Sequence, residues 1–318
     1  MGTRAPLTGP KRLILAGLRI FIGTGSLLIL LSLLIWAYPP IAVLGIHLMH
    51  RNSICPAWEV MRGANQCYAR QKARQRLMGA IRLKRDDPAG FRLWSTPDGG
   101  IWLPKGSETA LPILLAQQEV DIYGLGGLGA APGDIVLDCG AHVGLYTRRA
   151  LRAGARLVVA IEPAPSNLEC LRRNLKAEIE AGRVLVCPKG VWDREARLPL
   201  FEDASNTAGD SFVEQGAGST PIGELPLTTI DALVADLRLT RVDFIKLDIK
   251  GATGKALIGG LRTLKAYKPR LAVSTEEDDD DPRALAGAVE QLGAGYRPIC
   301  GSCVLSANSV QPDVLFFR

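Results

Sequence analysis

The pattern of apolar and polar positions divides the chain into three stretches. Between Ile20 and Leu48 there is no Asp, Glu, Lys or Arg, and residues 27–36 read LLILLSLLIW. About 20 apolar helical residues at about 1.5 Å each cross a hydrocarbon core of about 30 Å. Residues 20–38 therefore predict a transmembrane helix, with Trp36 and Tyr38 placed for an aromatic belt. Pro39-Pro40 ends or kinks it, because Pro39 disfavours helical geometry at Tyr38 and neither ring offers an N–H. The following IAVLGIHLM is too short to cross again and reads as an interfacial segment. A cleaved signal peptide is the competing reading, since Arg4, Lys11, Arg12 and Arg19 form a basic flank. The length of the apolar run and the lack of a small-x-small site before the prolines favour a retained anchor.

Residues 50–92 read as a basic helical connector closed by Asp86-Asp87-Pro88-Ala89-Gly90. Arg70, Lys72, Arg74, Arg76, Arg82, Lys84 and Arg85 alternate there with Leu77, Met78 and Ile81. Such a stretch fits anionic lipid headgroups and equally fits a solvated helix face; both readings stay open. Next, FRLWSTPDGGIWLP holds two strand-like runs around Pro97-Asp98-Gly99-Gly100, a hairpin signal. From Asp134 onward, the continuous apolar runs DIVLDCG, RLVVAIEP, RVLVCP, VDFIKLDIKG, RLAVSTEE and VLFF alternate with helical patterns near 145–153, 166–177, 256–264 and 283–292. Continuous apolar strands separated by helices indicate an open, mostly parallel twisted sheet with helices on both faces. The organisation expected is a basic flank and anchor at 1–49, the connector at 50–92, and an α/β domain at 93–318.

Charge sharpens this division. The 318 residues carry 38 Lys+Arg against 32 Asp+Glu, but residues 1–132 hold 15 against 7 and residues 133–318 hold 23 against 25. The basic excess is N-terminal, which suits a membrane surface or an orientation signal better than a nucleic-acid partner of the α/β domain. Seven cysteines, at 55, 67, 139, 170, 187, 300 and 303, suggest no even framework and favour a reducing compartment. Cys300-Gly-Ser-Cys303 lacks a second CxxC or a His pair, the only histidines being His47, His50 and His142, so no metal site is expected. The acidic run at 276–281 offers hard-metal ligands, but consecutive acids rarely converge on one ion, and a solvated loop is the favoured reading.

Ligands of open α/β sheets bind beyond the carboxyl ends of the strands. The first strand ends in Asp138, Gly140 and Gly144, a D-x-G-x-x-x-G arrangement in which glycine permits a tight turn and close packing. The second ends at Glu162, 24 residues after Asp138, where a carboxylate can accept from ribose hydroxyls. An acid at the first strand end would repel a pyrophosphate but attract an ammonium. S-adenosylmethionine has an ammonium, a sulfonium and a ribose. A glycine fingerprint at Gly124-Leu-Gly126-Gly-Leu-Gly129 is a decoy: no apolar helix follows it and no acid lies about 20 residues on. Lys246 and Asp248 end the fourth strand and share one side of it by alternation. Asp248 is suited to orienting an acceptor hydroxyl or withdrawing its proton, and equally to capping the next helix.

GDIVLDCGAHVGLYT, IEPAPSNLECLRRNL, LTTIDALV and VDFIKLDIKGA, in this order and spacing, resemble the FkbM family of S-adenosylmethionine-dependent methyltransferases, over roughly residues 93–318. The resemblance implies a Rossmann-like methyltransferase fold and methylation of hydroxyl groups on sugars or natural products. It implies that Asp138, Gly140, His142 and Gly144 form the cofactor loop, that Glu162 binds the ribose, and that Asn167 belongs to the EP-x-P-x-N pattern. Glu119 and Tyr123 match an upstream E-x-x-x-Y element implied to close over the cofactor. The chain departs from the family at Lys250 and Thr253, where acids are usual.

The expectation is a membrane-anchored S-adenosylmethionine-dependent O-methyltransferase, single-pass with its catalytic domain on the cytoplasmic side, where the cofactor is made. Its acceptor would be a sugar, glycolipid or related hydroxyl-bearing metabolite, its catalytic residues Asp248 and Lys246. The alternative is a non-catalytic, membrane-tethered cofactor-binding module. A nicotinamide dehydrogenase is disfavoured by Asp138.

Overall fold

In the computed structural model, which describes residues 26, 29, 30, 32–34, 38, 40–49, 54–202, 210–212, 220–275, 282–306 and 309–318, the chain enters through α1 (Pro40–Met49) and α2 (Ala57–Ala80). Most of the span expected at 20–38 lies outside the described residues. Among the described residues no helix is long and apolar enough to cross a membrane. The segment read as interfacial is α1, and Val43 and Ile46 pack it against the main core.

Among its described residues, the stretch read as a helical connector is helical from Ala57 to Ala80 and not beyond. Arg82–Asp87 forms β1, an edge strand whose charged side chains stay in water while its backbone pairs with β2 (Phe91–Thr96). Nor is α2 a spacer. Val60, Ala64, Ala73 and Leu77 are buried, and Arg70 makes a 2.8 Å ion pair with the fully buried Asp313. The expected hairpin is present: β2 pairs antiparallel with β3 (Gly99–Pro104), and Thr96 Oγ1 donates to the Gly99 carbonyl at 2.8 Å. Then α3 (Leu111–Glu119) leads into the central sheet.

The alternation read from Asp134 onward is realised as β4 (Ile135–Cys139), α4 (Leu145–Arg152), β5 (Leu157–Ile161), α5 (Pro165–Asn174), α6 (Lys176–Glu180) and β6 (Val184–Cys187). A side sheet of β7 (Gly190–Val191), β8 (Ala196–Glu202) and β9 (Thr220–Thr228) follows, which no simple alternation announced. The chain returns through α7 (Ile230–Asp236), whose first turn is capped by Thr229 Oγ1 accepting from the Ala232 N–H at 2.9 Å. It continues with β10 (Phe244–Leu247), α8 (Thr253–Gly259), α9 (Leu261–Tyr267), β11 (Arg270–Ser274), α10 (Pro282–Gln291), β12 (Pro298–Cys300), β13 (Cys303–Ser306), β14 (Ser309–Pro312) and β15 (Val314–Phe317).

The seven-stranded sheet has the order β12-β15-β11-β10-β4-β5-β6. Strands β4, β5, β6, β10 and β11 run parallel, whereas β15 is antiparallel to both neighbours, so the sheet is mixed and mostly parallel. Alternate strand residues serve opposite faces. Leu137, Val159, Ile245 and Leu247 join one core with α7, α8 and α10; Val136, Val158 and Phe244 join another with α4 and α5. Both faces are thus covered, as continuous apolar strands require.

Cys300 is disulfide-bonded to Cys55, with 5.8 Å between Cα atoms, and Cys303 is a buried free thiol. The cysteine pattern, read as no even framework in a reducing compartment, did not anticipate this bond. The partners are 245 residues apart, a pairing that no spacing pattern reveals.

Phe244 is fully buried at the middle of the sheet, within 6.3 Å of the Tyr146 ring. Phe244→Ala is expected to lower unfolding free energy by about 3–5 kcal/mol, since the vacated volume cannot collapse between two packed layers. Urea unfolding followed by far-UV circular dichroism measures it.

Candidate functional site

From β4 the chain winds outward through β5 and β6, then crosses back to place β10 on the other side of β4. The boundary between β4 and β10 is therefore the point where strand order reverses, and the loops leaving the carboxyl ends diverge and open a crevice. One cleft of roughly 900 Å³, counted out to open solvent, occupies that place. Gly140 and His142 reach it from β4, Glu162 from β5, Lys189 from β6, and Asp248 and Lys250 from β10. Gln117 and Tyr123 close one side, and Asp210–Phe212, beside the side sheet, close the other.

Its centre is an ammonium group. β4 and β10 pair with Lys246 in register with Asp138, so both side chains leave the same face. Lys246 Nζ lies 3.1 Å from Asp138 Oδ1 and 3.6 Å from Asp248 Oδ2, and donates to the Gly140 carbonyl at 2.8 Å. The rings of Tyr123 and Tyr146 have their centroids 5.3 Å and 5.7 Å away. Burial opposes the charge, but Asp138 and Asp248 more than offset it and raise the Lys246 pKa. Lys246 is accordingly a fixed cation, unsuited to taking up a proton. Its side chain is 3% exposed, against 40% for Asp248, which is the member of the cluster that a ligand can reach. Tyr123 Oη donates to Asp248 Oδ2 at 2.8 Å and fixes that carboxylate.

The loop after β4 is shaped by close approach. Gly140 has φ +81°, and a Cβ there would lie 2.1 Å from the Asp248 carbonyl oxygen. His142 holds φ +50°, unusual outside glycine, and its backbone N–H donates to Glu162 Oε2 at 2.8 Å. Glu162 Oε1 accepts from the Ala164 N–H at 2.9 Å and from Asn167 Nδ2 at 3.4 Å. A carboxylate offers about four lone-pair sites, so about one remains for a ligand hydroxyl. Burial pushes Glu162 upward, against the lowering by these donors and by Lys246, and the net shift is upward. Burial and the Lys246 charge hold the His142 imidazole down to about 4.

Six of the eight residues singled out in sequence meet at the cleft: Gly140, His142, Glu162, Asn167, Lys246 and Asp248. Asp138 does not line it. The side chain is fully buried, held by Thr147 Oγ1 at 2.6 Å and by Lys246, so its charge is already balanced and the ammonium it attracts is the protein's own. Gly144 does not line it either. With φ +87° it caps α4, and a Cβ would meet Leu175 Cδ1 at 2.6 Å, which makes it a packing glycine. Of the upstream pair, Tyr123 enters the site while Glu119 turns to Arg76 of α2. Lys189, Gln117, Tyr146 and Phe212 were not singled out; Tyr146 and Thr147 sit inside the GLYT segment, and only contact with Lys246 and Asp138 distinguishes them. The acidic run at 276–281 lies outside the described residues.

An unfolded His142 takes up its proton near pH 6.5 but the folded one only near 4, so the unfolded chain binds more protons within that window. Stability is expected to fall as pH drops from 6.5 to 4. His142→Asn, which tolerates the left-handed backbone, is expected to flatten that slope in urea midpoints measured across the window.

Residues 138–298 match the family model of the Methyltransferase FkbM domain. The 31-O-demethyl-FK506 methyltransferase FkbM of Streptomyces tacrolimicus is 29% identical over 170 residues, covering 49% of this chain and 65% of that protein. Among solved structures, methyltransferase FkbM from Methylobacillus flagellatus KT is 20% identical, with a TM-score of 0.46 over 82% of this chain and 62% of that one. Magnesium protoporphyrin IX methyltransferase from Synechocystis PCC 6803 with bound SAM is 14% identical, with a TM-score of 0.38 over 66% and 81%. The chain thus spans less than two thirds of the curated relative it matches. The matched segment begins at Asp138, spans every strand end that builds the cleft and takes in half of the residues, and on that ground the chain belongs to the FkbM methyltransferase family.

Proposed function

We propose that the chain is an S-adenosylmethionine-dependent O-methyltransferase whose acceptor is a hydroxyl of a sugar, glycolipid or related metabolite. The observation that carries this reading is the pair of cleft carboxylates, Glu162 and Asp248, standing at the ends of β5 and β10 on either side of the Gly140–His142 loop. The residues present fit the cofactor. Glu162 is held by two backbone N–H groups with capacity for a further hydroxyl donor, and Ile161 and Pro163 add apolar wall beside it. When bound, S-adenosylmethionine supplies an electrophilic methyl group on a sulfonium.

The chain's own residues then divide the work. Glu162 holds the ribose. Asp138 and Asp248 together outweigh the single charge of Lys246, leaving the cluster negative toward a cationic ligand. Asp248 orients the acceptor hydroxyl and takes its proton as the new carbon–oxygen bond forms. Lys246, a fixed cation, serves as a positioning residue for Asp248 instead of a base. Oxygen as the acceptor atom is supported by the name of the Streptomyces tacrolimicus relative, a methyltransferase of 31-O-demethyl-FK506.

A second reading, a cofactor-binding module without transfer activity, is favoured by one observation: Lys250 lines the cleft where the family usually has an acid. Methyl transfer from labelled cofactor into a carbohydrate or membrane extract separates the two.

Glu162→Gln is expected to weaken cofactor binding about 10–100-fold, the worth of a hydrogen bond to a charged group. Asp248→Asn is expected to leave that affinity within about threefold and to lower kcat instead, by the 10²–10⁴ typical of a general base. Calorimetry and single-turnover assays read the two effects, and a wild-type chain that folds without binding the cofactor sinks the proposal. We further propose that residues 20–38 anchor the chain in a membrane with the cleft on the cytoplasmic side. Protease digestion of sealed vesicles tests this: a cleft domain protected in inside-in vesicles is expected, and one cleaved from outside overturns it.

A further inference from the structure

A second cavity adjoins the cleft. It encloses roughly 730 Å³, counted out to open solvent, and shares Gln118 and Leu145 with the cleft. Arg148, Arg149 and Arg152 of α4 line it, together with the apolar Leu77, Ile101 and Leu115. Positions 145, 148, 149 and 152 form one helical face, so α4 meets the cleft at Leu145 and carries three guanidinium groups away from it over about 10 Å.

These cations are unequally balanced. Two acids also line the cavity: Glu119 is paired with Arg76, and Asp98 meets Arg152 at 3.4 Å with both side chains about half exposed (49% and 52%). Arg149 is paired with Asp121 at 2.8 Å. Arg148 makes no ion pair among the described residues; its Nη2 donates to the Asn174 carbonyl at 2.7 Å. Burial first, and Arg152 one turn away second, lower its pKa; Glu178 and Asp98 pull it the other way and do not offset them. A partly buried guanidinium so placed is costly unless an anion reaches it, and its planar donors match phosphate oxygens.

We propose that this arginine-lined cavity receives a phosphate group carried by the methyl acceptor, the reacting hydroxyl lying in the adjoining cleft. The inference rests on the methyltransferase reading of that cleft. A single phosphate ester, on a soluble sugar or a lipid headgroup, suits one small cavity. A polynucleotide would need a continuous basic track, and here Asp98, Glu119 and Asp121 stand among the arginines.

The test uses the full chain. Titration with inorganic pyrophosphate is expected to show binding that Arg148→Gln/Arg152→Gln weakens at least tenfold. Cofactor affinity should change less than twofold, both in the double variant and with pyrophosphate present. Arg152→Gln alone, at an exposed and loosely paired position, is the control for folding and is expected to weaken pyrophosphate at least threefold. A water-soluble short-chain phosphatidic acid and a sugar monophosphate form a second arm: displacement of pyrophosphate by the lipid at concentrations where the sugar ester fails assigns the phosphate to a lipid headgroup, and the reverse order assigns it to a soluble ester. Equal pyrophosphate binding by wild type and double variant, or competition between pyrophosphate and cofactor, overturns the proposal. So does tight single-stranded RNA binding with a salt slope of several phosphates. Intact pyrophosphate binding without cofactor binding overturns the methyltransferase reading and leaves the anion site standing.

Discussion

The structure turns on a buried ammonium. Lys246 and Asp138 lie opposite each other on adjacent parallel strands, at the seam where strand order reverses. Withdrawing two charges from water costs several kcal/mol per ion, and their attraction repays this only with good geometry and further hydrogen bonds. Here those bonds exist. Thr147 donates to Asp138, the Gly140 carbonyl accepts from Lys246, and two tyrosine rings face the cation. The pair ties β4, β10, α4 and the segment after α3 together at one point. Removing either partner would strand the other, so the arrangement specifies geometry more than it adds stability.

What surrounds that point follows from it. Gly140 must lack a side chain because its Cα faces the Asp248 carbonyl where the two strands diverge. Asp248, one pleat beyond Lys246, is left half in water with its orientation set by Tyr123. Glu162 is fixed independently by backbone N–H groups from both flanking loops, so the two accessible carboxylates of the cleft are each held by the fold and neither depends on a ligand to place it. The N-terminal helices contribute as well. Arg70 and Arg76 of α2 reach Asp313 and Glu119, and the Cys55–Cys300 bond fastens the start of that helix to an edge strand of the central sheet. A helix held in this way is part of the domain's wall.

Much of this was legible in the chain. Apolar runs of strand length, each followed by a helical pattern, specify a covered parallel sheet, because only such a sheet buries both faces of a strand. Glycines and acids immediately beyond those runs mark the ligand side, since loops at carboxyl ends are where an open sheet leaves space. Local sequence determined these features because they depend on neighbours a few residues away: strand periodicity, helical patterns between the strands, Pro97–Gly100 as a turn.

Contacts across long separations were decided only by tertiary structure. Asp138 read as a ligand for an external cation, and the fold gives it an internal one 108 residues away. Arg82–Asp87 is a strand although five of its six residues are charged, because β2 offers it an unpaired edge. Cys55 finds Cys300, and the three arginines of α4 become a cavity wall only when the β2–β3 turn and α3 are laid against them. The amino-acid sequence by itself determined which elements form and which strand ends carry chemistry, through propensity and periodicity. Which of those charges face a ligand and which are neutralised within the protein depended on register between strands, a quantity that no local pattern encodes.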